Sequence, residues 1–207
     1  MITYTVPDGL EETRFDDGGL WYRYQGKPIR SVGKILNRIY PMPPDLPKWY
    51  LERGKLVHAA TVLIDAGTLD WEGLDNRLLP FCHAYRDFIG VAKPVIEASE
   101  LTVVHPSYSF GGRLDRVFRI PGRDRLILTD LKCGMGKEDR YFLQCAALVV
   151  ALDEANAEKY DIALLNLDNK GKPHFTVEND PGKWIQRWRQ ILQDDVKAGT
   201  FDHKAVM

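Results

Sequence analysis

The chain has 207 residues, 44% of them hydrophobic, which is enough for one domain (1–207) with a full core. A formal net charge of −1 and a sequence pI of about 6.5 give no global basic field; this argues against a non-specific coat on a polyanion and leaves room for a local basic cleft. Residues 1–5 lack a secretory pattern, the longest apolar run (146–152) is too short for a bilayer, and Cys82, Cys133 and Cys145 form no C-x-x-C, so a protein of a reducing compartment, the cytoplasm, with no membrane partner is expected.

Residues 1–30 read as an N-terminal hairpin. Leu20-Trp21-Tyr22-Arg23-Tyr24 is rich in β-formers and lies between the turn signals Asp16-Asp17-Gly18-Gly19 and Gln25-Gly26-Lys27-Pro28. Residues 31–100 read as the helical part. Ser31 is placed to cap a helix in which Val32, Ile35, Leu36 and Ile39 recur at helical spacing, and Pro41, Pro43, Pro44 and Pro47 end it in a stiff connector. A second helix is expected over 48–66, closed by Gly67, with Gly54 and His58 on one face and Gly54 small enough to let it approach a sheet. A third is expected over 78–89, with Pro80 near its start and Gly90 as its stop. Residues 101–207 read as the sheet core with its helices. They hold the strand-like Leu101-Thr102-Val103-Val104, a central hairpin, and a largely apolar helix over 141–152 behind a flexible Gly134-Met135-Gly136. A second hairpin (162–167 and 174–177) turns at Asp168-Asn169-Lys170-Gly171, and a last helix over 183–197 ends before Gly199. The stripe Trp184, Ile185, Trp188, Ile191 and Leu192 on that helix reads as core rather than as a base-stacking platform. The element order predicts an α/β domain with one central mixed β-sheet flanked by α-helices.

The central hairpin carries the chemistry. Phe110-Gly111-Gly112-Arg113-Leu114-Asp115 leads into one strand, and Leu126-Ile127-Leu128-Thr129-Asp130-Leu131-Lys132 forms the other. A four-residue turn at Pro121-Gly122-Arg123-Asp124 pairs Ile120 with Arg125, and counting back sets Asp115 opposite Asp130. Side chains directly opposite on antiparallel strands have Cβ atoms about 5 Å apart, where like charges are destabilising. A divalent cation or Lys132, on the same face as Asp130, is the expected compensation. Asp130 and Lys132 emerge from the end of a nearly continuous apolar strand, where sites sit on α/β sheets. Carboxylates suit Mg2+ or Mn2+, and such an ion serves phosphodiester hydrolysis by stabilising phosphate charge and lowering the pKa of a bound water. Lys132 would orient or activate that water and offset charge in the transition state.

Gly111-Gly112-Arg113-Leu114-Asp115-Arg116, a hairpin, Thr129-Asp130-Leu131-Lys132-Cys133-Gly134 and then Gln144 resemble the PD-(D/E)XK nuclease superfamily, in particular its RecB-like and phage-exonuclease branch. Ser31-Val32-Gly33-Lys34-Ile35-Leu36 and Trp49 extend the resemblance over most of the chain. It implies a restriction-endonuclease-like core and a metal-dependent DNA nuclease, an exonuclease of phage or recombination type. It makes Asp115, Asp130, Lys132 and Gln144 catalytic, and gives the metal to His58 (in the Gly-x-x-x-His setting of Gly54), Asp115, Asp130 and the Leu131 carbonyl. Gln144 stands at the glutamine of a Q-x-x-x-Y element, with Leu148 in the place of the tyrosine. The four-cysteine iron–sulfur cluster of some relatives is not expected, because the cysteines are too few and wrongly spaced. The implied partner is DNA, linear duplex or single-stranded, with room for a recombination or single-strand annealing protein and for an oligomer. A structure-specific endonuclease or resolvase on the same scaffold, and a catalytically silent nucleic-acid-binding module, are the alternatives.

Further residues join these by position. Arg113, Arg116, Lys137 and Arg140 bracket the carboxylates as a positive rim for phosphates, and Tyr141 faces the same cleft one turn before Gln144. Gln144, polar on an otherwise apolar helix, needs a partner: a backbone group, a phosphate or a metal-bound water. Glu97 and Glu100 precede the strand leading to Asp115, and the sequence does not choose between them. Gly111-Gly112 marks a bulge or a close approach of a DNA backbone. Cys82, His83 and His105 lack partners at metal-ligand spacing and read as structural.

Overall fold

The computed structural model describes residues 6–14, 20–41, 43, 45, 47–134 and 138–198. The expected Asp16–Gly19 turn, the Met135-Gly136 portion of the flexible link, Lys137 and the stop at Gly199 lie outside them. The N-terminal part is a three-stranded antiparallel meander rather than a single hairpin: β1 (Leu10–Arg14), β2 (Leu20–Tyr24) and β3 (Lys27–Ser31). Gln25 and Gly26 join β2 to β3 with φ of 50° and 73°, the two-residue turn whose twist matches paired strands. Helix α1 (Val32–Ile39) follows, with Ser31 Oγ accepting from Lys34 N at 3.2 Å as the sequence predicts. Helix α2 is Lys48–Asp65 and α3 is Leu79–Ala92. Gly90 does not stop α3; the helix runs on to Lys93, whose φ of 45° closes it before Pro94. The residue before a proline is barred from continuing a helix, and that outweighs the weak breaking power of an internal glycine, about 1 kcal/mol.

Strands β4 (Val95–Ser99), β5 (Thr102–His105), β6 (Phe110–Arg113), β7 (Arg116–Arg119) and β8 (Leu126–Lys132) come next. Helix α4 (Glu138–Asp153), β9 (Tyr160–Leu167), β10 (Pro173–Val177) and α5 (Pro181–Lys197) complete the order. The central sheet is mixed, in the order β10-β9-β8-β7-β4, with β8 parallel to β9 and every other pairing antiparallel. A second five-stranded sheet, β1-β2-β3-β6-β5, was not visible in the pattern; it depends on a parallel pairing of β3 with β6, far apart in sequence.

The two sheets share strands. β4 and β5 are halves of one bent strand, as are β6 and β7. The pairing of Ser99 with Arg116 continues through Glu100 N to Asp115 O (2.9 Å) and Leu114 N to Leu101 O (2.9 Å) into the pairing of Thr102 with Arg113, without change of register. At the bend Glu100 has φ 48°, a left-handed conformation that costs a residue with a side chain on the order of 1–3 kcal/mol.

Alternation along the strands divides the core. Leu126, Leu128, Val117, Ile162 and Leu164 pack with α4 and α5, while Leu131, Phe118, Leu165 and Leu167 pack with α2 and α3 on the other face. From Phe142 to Val150 every residue of α4 but Gln144 is buried, because α1, α5 and strands of both sheets enclose it. The stripe on α5 is core as expected, with Ile185, Trp188 and Leu192 fully buried. Gly111 and Gly112 mark no bulge, and both sit where a side chain would meet its neighbours. β5 and β6 pair without interruption, and a Cβ on Gly111 would lie 2.7 Å from the Val103 carbonyl oxygen, one on Gly112 2.9 Å from Leu148 Cδ2. Among the described residues no helix is long and apolar enough to cross a membrane.

Candidate metal and catalytic site

The central hairpin has the register that counting from the turn gives. Arg116 pairs with Thr129, Val117 with Leu128 and Phe118 with Ile127, so the next step along the ladder brings Asp115 beside Asp130. The turn is set by Pro121 and by Gly122 at φ 80°, with Arg123 N donating to Ile120 O at 3.1 Å. At the far end Asp115 Oδ2 accepts from Leu131 N at 2.7 Å.

Two groups of side chains meet there. Asp115 Oδ1 lies 3.4 Å from His58 Nδ1 on α2, and Glu100 Oε1 lies 3.7 Å from the same nitrogen. One ligating atom each from His58, Glu100 and Asp115 falls within 4.8 Å of the others. Two carboxylates and an imidazole on three different elements fit a divalent cation that prefers oxygen donors. The other ring nitrogen, Nε2, lies 3.2 Å from the Leu131 carbonyl, the kind of backbone partner that orients a ligating histidine. That carbonyl, expected on the metal, also meets His58. The second group is built on Asp130. Gln144 Nε2 donates to its Oδ1 at 3.0 Å, and Lys132 Nζ lies 2.5 Å from its Oδ2 and 4.6 Å from the centre of the Tyr141 ring. Gln144 therefore satisfies its part-buried amide on a site carboxylate rather than on a backbone group, a phosphate or a bound water.

The environments drive the two aspartates apart. Burial opposes the charge on Asp115, but the His58 imidazolium, its hydrogen bond, the Lys132 charge and the Leu131 amide outweigh burial and hold the carboxyl down at about 2. For Asp130 burial dominates; with the repulsion of Asp115 it lifts the carboxyl to about 6 against the pull of Lys132. Burial also disfavours charge on His58, yet the Asp115 charge and hydrogen bonds to Asp115 and Glu100 raise its imidazole to about 10. Lys132 loses solvation and still titrates higher than a free lysine, because Asp130 and Asp115 face it. Carboxylates with divergent affinities for protons in one site are a mark of divided chemical roles.

The expected rim of cations is mostly engaged elsewhere. Arg116 is fully buried and makes no surface for phosphate; its guanidinium is ringed by Asp65, Tyr85, Glu100, Thr61 and the Asp115 carbonyl. Arg140 donates to Tyr40 O and Asn37 Oδ1, fastening α4 to the end of α1. Arg113 pairs with Glu12 at 2.5 Å and borders a cleft of about 510 Å³ together with Gly54, Lys55, His58 and Glu100. Gly54 faces that cleft and has open space where a Cβ would stand, so it does not serve close packing of α2 on the sheet. Lys132 and Tyr141 border a second cavity, of about 240 Å³, with Asn166 and His174. Of the two glutamates, Glu100 reaches the site and Glu97 turns away to Arg119 at 2.6 Å. Glu100 has a left-handed backbone at the bend of its strand, and nothing in the residue pattern announced it. His83 stacks on Trp71 and His105 pairs with Glu154 at 2.9 Å, both in structural settings as expected.

No family model matches the chain, and no curated protein matches it. Solved structures do. A candidate exonuclease from Eubacterium rectale overlays with a TM-score of 0.52 at 9% identity, covering 86% of this chain and 82% of its own. Two structures of the alkaline exonuclease LHK-Exo overlay less well. The complex with dAMP has a TM-score of 0.39 at 11% identity and the protein from Laribacter hongkongensis 0.38 at 10%; each covers 86% of this chain, with 95% and 94% of their own. The likeness to the Eubacterium rectale protein is one of fold.

Proposed function

We propose that this chain is a metal-dependent deoxyribonuclease of the PD-(D/E)XK superfamily, an exonuclease of the RecB-like and phage type. The observation that carries the reading is the convergence of His58, Glu100 and Asp115 within 4.8 Å, one step along the hairpin from the Asp130–Lys132 pair. The shared fold with a candidate exonuclease supports it. His58, Glu100 and Asp115 would hold Mg2+ or Mn2+, with Asp130 and the Leu131 carbonyl beside them. Such an ion, when bound, stabilises charge on phosphate oxygens and lowers the pKa of a coordinated water. Lys132 keeps its proton under the influence of Asp130 and so acts as a fixed positive charge beside the attacking water and the phosphate rather than as a base. Gln144 holds Asp130 in place, and Tyr141 lies against the ammonium. The cleft beside His58 and the cavity beside Lys132 border this centre and would give DNA an approach to it.

The test is nucleotide release from linear duplex and single-stranded DNA with and without EDTA. Metal-dependent release that spares closed circular DNA supports an exonuclease; nicking of the circle supports the endonuclease alternative. Asp130→Asn is expected to abolish cleavage and retain DNA binding. A purified protein that cleaves no DNA or RNA with any divalent ion refutes the enzymatic reading.

A further inference from the structure

Arg116 is the largest fully buried charged side chain among the described residues, and it is spent on five groups behind the candidate site. Its Nη1 reaches Glu100 Oε1 at 3.3 Å and the Asp115 carbonyl at 2.7 Å. Nη2 donates to Thr61 Oγ1 at 3.0 Å, and that hydroxyl in turn donates to the His58 carbonyl at 2.8 Å. Nε donates to Asp65 Oδ2 at 2.9 Å, and Tyr85 closes the ring, its hydroxyl 3.3 Å from Nε and 2.8 Å from Asp65 Oδ1. A structural anchor for α2 and α3 would need only Asp65 and Tyr85. The other contacts run to all three members of the converging group: the side chain of Glu100, the backbone of Asp115 and, through Thr61, the turn carrying His58. The helix carrying His58 and the paired strand bends carrying Glu100 and Asp115 are thereby fixed to one rigid, five-donor fork, which a lysine could not replace.

We propose that Arg116 is the positioning residue of the metal site: it acts through Glu100, and less directly through Asp115 and His58, to preset the spacing of the ligands. The proposal rests on the reading that His58, Glu100 and Asp115 bind a divalent ion. Glu100 sits in a left-handed conformation at the bend of its strand, so its carboxylate is aimed by contacts rather than by relaxed backbone geometry. Without the guanidinium, Glu100 and Asp65 would be like charges with no cation between them.

The experiment measures Mn2+ binding directly, by titration calorimetry and by the electron paramagnetic resonance of free Mn2+, on the full chain. Arg116→Lys, Glu100→Gln and the double variant are compared with the parent, and Arg119→Met, at an exposed pair outside the site, serves as control. Arg116→Lys is expected to bind Mn2+ at least tenfold more weakly at unchanged stoichiometry. The loss it causes in the Glu100→Gln background should be smaller than in the parent, which a general loosening of the fold would not produce. If Arg116→Lys does not fold, Thr61→Val cuts the link to His58 alone and is expected to weaken binding about threefold. Folded Arg116→Lys or Thr61→Val with parental Mn2+ affinity, or strictly additive losses with Glu100→Gln, overturns the positioning role. A parent chain that binds no Mn2+ overturns the metal reading itself, and the proposal with it.

Discussion

Gly112→Ala separates packing from DNA contact as the reason for the glycine pair in β6. The added methyl carbon would sit 2.9 Å from Leu148 Cδ2 and 3.5 Å from Val32 Cγ2. Leu148 is 2% exposed and held within α4 by neighbours on every side, so it has no solvent to swing into. Overpacking of this kind costs about 1–3 kcal/mol, which for a domain of this size lowers Tm by roughly 2–12 °C. Gly111→Ala should cost more, about 3 kcal/mol or above, because the atom met at 2.7 Å is the Val103 carbonyl oxygen and backbone cannot rotate aside. Urea unfolding of Gly112→Ala, Leu148→Ala and the double variant gives the decisive cycle. Leu148→Ala alone leaves a cavity worth about 2–5 kcal/mol, and the double variant should lose about 1–2 kcal/mol less than the sum, since the new methyl fills part of that space. Full stability of Gly112→Ala together with weakened DNA binding would refute the packing argument and return these glycines to a DNA-facing role.

Three other outcomes follow from the same contacts. Asp195→Ala, which removes a buried carboxylate 2.7 Å from Arg30 and 3.0 Å from Arg38, should destabilise the protein by about 2–4 kcal/mol in chemical unfolding by loosening α5 from β3 and α1. In metal-free protein the His58–Asp115 pair contributes fully only between about pH 3.8 and 6.5: its benefit is lost as pH rises through the folded His58 value of about 10, or falls through the folded Asp115 value of about 2. The difference in unfolding free energy between the parent and His58→Asn should accordingly be largest near pH 5 and shrink on the alkaline side; a flat difference contradicts the pairing. Mn2+ at about a hundred times its Kd should stabilise EDTA-treated protein by about 2.7 kcal/mol, or roughly 5–11 °C in a thermal scan, and Glu100→Gln should lose most of that gain.

What could be read in advance was local. The register of Asp115 against Asp130 needed only a turn at Pro121-Gly122 and a count of residues, and the helix bearing His58 announced itself by its spacing and by Gly67. The cap at Ser31 and the stripe on α5 were equally plain. What could not be read was long-range. The parallel pairing of β3 with β6 creates a second sheet from residues about 80 apart, and no periodicity encodes it. The choice of Glu100 over Glu97 depends on a bend in the strand, and the burial of Arg116 on carboxylates brought from α2 and from that bend. An arginine next to a catalytic-looking aspartate reads as a phosphate contact until its partners are known; here the chain spends it inside.

The shared strands make the candidate site a measure of how the two sheets are folded against each other. Glu100 and Asp115 are ladder partners where β4 passes into β5 and β6 into β7, joined from Glu100 N to Asp115 O at 2.9 Å, so the angle between the sheets sets how this pair sits relative to His58 on α2. Opening or closing that angle by a few degrees would move two ligands at once, and would do so from anywhere along the strands. Substitutions far from the carboxylates, in the apolar wedge where α4 fills the corner between the sheets, can therefore detune metal affinity without touching a ligand.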